Sequence, residues 1–219
     1  MREPGAARAA GYVFAVAGVL VAAGLVLHPI PSGGLAEKPS VLSTTPLWGP
    51  IHVAIAFGFV LTILGGLLAL VAGGALTRRW TGALAWGSLT VGMVFFTGVA
   101  LVNGYVMHAL SLRADSAEGS AIYAAFDDLL LGFGWLGNPL FLFGLSLLAF
   151  TEVRSRTIGL PRWAALFGLV FALASWLRGI GSATGLYVLE PFILANIPAF
   201  IWLSYYGLRL AALGKAQGG

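Results

Sequence analysis

The sequence predicts an all-α, polytopic membrane protein, one domain over residues 1–219, built as a bundle of six transmembrane helices with both termini cytoplasmic. Three observations carry that prediction. Of the 219 residues, 59% are hydrophobic and only 9% charged, with a mean hydropathy of +0.93. A soluble domain carries about 25% charged residues to cover its wetted surface. Six runs match the roughly 20 apolar residues that, at about 1.5 Å each, cross a hydrocarbon core of about 30 Å. Those runs are continuously apolar and rich in Leu, Ala and Gly, without the alternation of a membrane β-strand.

The first helix is expected over Ala10–His28. Arg2 and Arg8 precede it, but its apolar stretch from Ala9 to Leu27 exceeds the ~7–15 residues of a signal peptide's core. His28-Pro29-Ile30-Pro31 follows in place of a small-residue cleavage pattern, so the helix reads as retained. An outer connection, Pro29–Trp48, leads to the second helix over Pro50–Leu76, with Trp48 as an interfacial anchor. Arg78, Arg79 and Trp80 form a short basic turn before the third helix, Gly82–Leu110. A second outer connection, Ser111–Asp128, leads to the fourth helix, Leu129–Phe150. The basic loop between Glu152 and Arg162 precedes the fifth, Trp163–Thr184, and the sixth covers Tyr187–Leu213.

Charge placement orients the bundle. The termini and the two short loops hold Arg2, Arg8, Arg78, Arg79, Arg154, Arg156, Arg162, Arg209 and Lys215 against Glu3 and Glu152. The other side holds Lys38, Arg113 and Arg178 against Glu37, Asp115, Glu118, Asp127, Asp128 and Glu190. The positive-inside rule places the first set, with both termini, in the cytoplasm of a cell (plasma or inner) membrane. The formal net charge of +4 therefore reports orientation and leaves no basic patch for nucleic acid. With no cysteine there is no disulfide, no thiolate nucleophile and no c-type haem attachment. Gly132-Phe133-Gly134-Trp135-Leu136-Gly137 matches the dinucleotide fingerprint, but that motif works only between a strand and a helix, so no nucleotide is expected.

Chemistry concentrates on the outer side. His28 ends the first helix, His52 starts the second and His108 lies near the end of the third, so all three reach the same membrane boundary. Neutral imidazole ligates metals and haem iron. The three histidines, with Asp127 or Asp128 as carboxylate ligand or partner, form a candidate copper or zinc site. His52 and His108 form a candidate pair for b-type haem, with Arg178 available to a propionate or another anionic group. Blander readings stand beside these. Histidine is tolerated at headgroup depth without a ligand, acids at a helix start are explained by the backbone dipole, and an intramembrane arginine finds a structural ion pair. Asn103, Asn138 and Asn196 read as interhelical glue, and Gly181-x-x-x-Gly185 as a close helix contact.

Three functions fit this pattern. The chain is expected to be an accessory or interaction subunit of a membrane assembly, in contact with the lipid bilayer and with membrane protein partners, and not an enzyme by itself. The alternatives are a redox or metal-handling protein that binds b-type haem or copper/zinc, and a transporter of a small apolar or lipid-like solute. Scarcity of intramembrane charge weighs against ion-coupled transport.

Overall fold

The computed structural model describes residues 2–29, 34–184 and 186–218. The elements are α1 (Pro4–Leu27), α2 (Gly34–Thr44), α3 (Trp48–Ala72), α4 (Trp80–Leu101), α5 (His108–Ser111), α6 (Ala117–Ser155), α7 (Arg162–Thr184) and α8 (Asn196–Gly218). A π-helical turn, Val102–Met107, fuses α4 to α5, and a 3₁₀ stretch, Tyr187–Ala195, leads into α8. Among the described residues every regular element is helical, and six of the helical stretches are long and apolar enough to cross a membrane. The chain is a multi-pass membrane protein.

The six crossings close into a ring in which each packs on its neighbour in sequence, and the last, α8, returns to α1. Lipid supplies no hydrophobic force between helices, so close backbone approach must hold them together. Gly11 of α1 and Gly207 of α8 do this. A Cβ on either would collide with the other helix's backbone. The middle of the ring is filled by aromatic side chains. Phe14 stacks on Trp86 at 5.3 Å, Phe141 stacks on Phe200 at 5.4 Å, and Tyr206 bridges Trp86 and Trp202.

Several expected boundaries change. The first outer connection contains α2, and the second is largely the start of α6. Asp127 and Asp128 therefore lie about three turns inside a helix, so the helix-dipole account of them is corrected. Ser116 is the true cap, accepting the Gly119 N–H at 3.0 Å, with Glu118 in the first turn. The second crossing ends at Ala72, where Gly73 takes a φ of 57° that favours glycine. Regular helix in the last crossing begins only at Asn196, because Pro191 lies in the stretch before it.

The two ends of the bundle differ in kind. The Arg2 N–H donates to Ala72 O at 3.0 Å, and Gly214 lies against the backbone of Pro4 and Arg8. Both ends of the chain thus share one end of the bundle with the α3–α4 loop. Arg79 reaches the Ser155 hydroxyl there, and Arg209 donates to Gly159 O. At the opposite end α2, α5 and the first turns of α6 build a cap with its own small core of Leu42, Trp48, Met107 and Tyr123.

Candidate functional site

Under that cap the first turn of α3 carries two ring-bearing residues one helical turn apart, Trp48 and His52, which share a face. Both are buried, Trp48 at 1% and His52 at 4% exposure. The Trp48 indole N–H donates to the backbone oxygen of Asn103 at 2.9 Å. Asn103 sits in the π-helical turn, a form that recurs at functional sites because its extra residue breaks the regular ladder.

His52 can be assigned a tautomer from its partners. Its Nδ1 lies 2.8 Å from Trp48 O, and a carbonyl oxygen only accepts, so Nδ1 carries the proton. In the neutral ring Nε2 is then the lone-pair nitrogen. It accepts from the Asn103 amide at 3.1 Å and from the His28 Nε2–H at 3.2 Å, so His28 holds its proton on Nε2 and offers a lone pair there only in its other neutral tautomer. His28 is the first residue beyond α1, half-buried, and burial lowers its pKa against the opposing pull of the Pro29 and His28 carbonyls. The neutral imidazole is thereby favoured, which is the form that ligates a metal.

Three rings close the site. The centroids of His28 and His52 lie 4.8 Å apart, and Trp48 stands 4.8 Å from His28 and 4.6 Å from His52. Gly104 makes this approach possible, because a Cβ there would fall 2.5 Å from His52 Cβ. A small void of about 10 Å³, close to the volume needed for one water, adjoins His28 between Leu25 and Ile193. A larger open groove of about 680 Å³ runs along α3 past Val53, Phe57 and Tyr105, and no histidine lines it.

The remaining candidates are placed differently. His108 directs Nδ1–H to Leu42 O at 2.9 Å, tying α5 to α2. Asp127 accepts both of its contacts from Lys38 Nζ, at 3.1 and 3.2 Å, tying α6 to α2. Asp128 is exposed on α6, and Arg178 is half-buried on α7 with an interaction partner of its own. Among the described residues no group of three His, Asp or Glu side chains is arranged to hold a metal ion. Of the expected set, the structure brings together His28 and His52, gives His108, Asp127 and Arg178 other partners, and leaves Asp128 exposed on α6. The side chain of Glu190 and all of Gly185 lie outside the described residues.

Sequence reasoning missed the importance of Trp48, Asn103 and Gly104 to this site. The spacing of Trp48 and His52 at i and i+4 was visible, but nothing local linked them to a residue 55 positions away. Asn138 packs against Gly179 of α7, in keeping with interhelical packing, whereas Asn196 is satisfied locally by Ile193 O at 3.1 Å.

An ion bonded to both Nε2 atoms is geometrically admissible. With metal–nitrogen bonds of about 2.0–2.1 Å, a nitrogen separation of 3.2 Å sets an angle of about 100–106° at the metal, near tetrahedral. The His52 Nδ1–H bond to a backbone carbonyl is the outer-shell contact that metal-ligating histidines make. Comparison with protein-family models, with curated proteins and with solved structures finds no match to this chain.

Proposed function

We propose that the protein is a metal-handling protein of the cell membrane that takes up a copper or zinc ion at its extracytoplasmic end through His28 and His52. The observation that carries this reading is the 3.2 Å approach of the two Nε2 atoms, with His52 fixed in the tautomer that turns a lone pair toward His28. The orientation, with both termini cytoplasmic, is supported by the gathering of Arg2, Arg79 and Arg209 at the end of the bundle away from the histidines. The copper or zinc form of the reading is favoured over b-type haem, because His52 and His108 face different partners.

Metal analysis of the purified protein tests the proposal. One copper or zinc per chain is expected, lost in His28→Ala and in His52→Ala and kept in His108→Ala. A protein that binds neither ion, or one that shows a haem Soret band and keeps it in His28→Ala, overturns it.

A second reading, an accessory subunit docked on a membrane partner, is supported by the outer half of α6. Leu131, Trp135 and Leu136 are about half exposed there, and open space surrounds Gly132 and Gly134. A membrane protein that co-purifies at fixed stoichiometry, and is released when Trp135 is changed to Arg, would establish it. A partner-free species after mild extraction would remove it.

A further inference from the structure

Among the described residues no charged side chain is bonded to the histidine pair, and this bears on which ion it takes. His28 and His52 are neutral donors, Asn103 and Trp48 add no charge, and no third histidine or carboxylate joins them among the described residues. The desolvation cost of an ion grows with the square of its charge, so a dication in this buried place costs about four times what a monocation does. Zinc, moreover, calls for four donors in a tetrahedron. A d¹⁰ monocation is content with fewer and softer contacts.

The indole supplies such a contact. Trp48 stands within 4.8 Å of both imidazole centroids, and its N–H bond to Asn103 O fixes the plane of the ring. Tryptophan is the best aromatic partner for a cation, with attraction reaching to about 6 Å from the centroid. The bent geometry imposed by the 3.2 Å nitrogen separation leaves one side of the ion without a nitrogen ligand.

Resting on the metal-handling reading above, we infer that the ion is Cu(I), bound by His28 and His52 with the π face of Trp48 as its third contact. The site would then sort copper from zinc by charge and softness, using rings alone.

The test uses the full-length protein in detergent, without oxygen. Cu(I) is supplied from a chromophoric Cu(I) chelator, and Zn(II) from a competing zinc dye. Tighter binding of Cu(I) than Zn(II) is expected, at one ion per chain. Trp48→Leu should weaken Cu(I) by about 10-fold, the order of the attraction it removes, and by more than it weakens Zn(II), which fills its remaining positions with hard oxygen donors in place of the indole. Trp48→Phe keeps a ring in the cap, so it guards against a folding defect, and it should lose less Cu(I) affinity than Trp48→Leu. Zn(II) binding as tight as Cu(I) to the wild type, or equal weakening of both ions by Trp48→Leu, overturns the inference while the metal reading stands. Failure of both ions to bind the wild type overturns both.

Discussion

Gly104 and Asn103 control how closely the two histidines meet. A methyl group at Gly104 would have to displace His52 or the whole outer turn of α3, since the ideal Cβ falls 2.5 Å from His52 Cβ. Gly104→Ala is therefore expected to cost about 1–3 kcal/mol of stability, the usual range for overpacking, and to abolish metal binding. A thermal or SDS-unfolding series alongside metal analysis checks both effects. Asn103 donates to the same lone pair a metal would use, at 3.1 Å. Asn103→Asp replaces that competing donor with an anionic ligand and should raise Zn(II) affinity by at least about 10-fold, measured by dye competition, because carboxylate oxygen is a regular zinc ligand. At this scale the shared end of the histidines was legible: helix direction alone put His28, His52 and His108 at one end of the bundle. Their pairing was not. The direction of each imidazole depends on a tertiary bond from Trp48 to a carbonyl in a π-helical turn, and neither leaves a local pattern in the sequence.

Among the elements, α1 and α8 meet in a close backbone junction, and an open face lies on α6 around Gly132 and Gly134. Gly207→Leu should destabilise the bundle by about 1–3 kcal/mol or more, because the added side chain meets the Gly11 and Ala15 backbone. Gly134→Ala should do the reverse and stabilise by about 0.5–1 kcal/mol, since nothing lies within 4 Å of its Cβ and glycine weakens a helix interior. SDS unfolding of the two variants distinguishes the faces, and a destabilised Gly134→Ala would contradict the open face on α6. The Lys38–Asp127 bridge is a lesser contributor. Its side chains are 38% and 22% exposed, so Lys38→Ala should cost under about 1 kcal/mol. The existence and order of the six crossings were legible from length and hydropathy. The cap was not, because residues 117–128 are polar enough to resemble a loop, yet they continue α6 to 39 residues, about 58 Å of helix. Two of their aromatic members, Tyr123 and Phe126, find burial in a cluster with Leu42 of α2, Trp48 of α3, Met107 of the π-helical turn and Leu110 of α5, which a linear reading cannot place.

The whole molecule is a closed ring of helices with a basic end and a histidine-bearing end, and its orientation can be read chemically. The chain has no cysteine, so single cysteines report without background. Ala114→Cys on the capped side should react with a membrane-impermeant maleimide added to intact cells, and Arg78→Cys should react only after lysis; the opposite pattern would invert the topology. The gathering of basic residues at one end was legible in the sequence, since it depends on loop composition and not on contacts, and the labelling pattern tests the orientation proposed from it. The claim that joins the two ends, that the outer one holds an ion between His28 and His52, is tested most directly by X-ray absorption at the metal edge of copper-loaded protein. Two imidazole nitrogens at about 2.0 Å are expected, with that signature gone in the His28→Ala, His52→Ala double variant. A copper shell made of sulfur or oxygen alone, or imidazole scattering that survives in the double variant, would contradict the account.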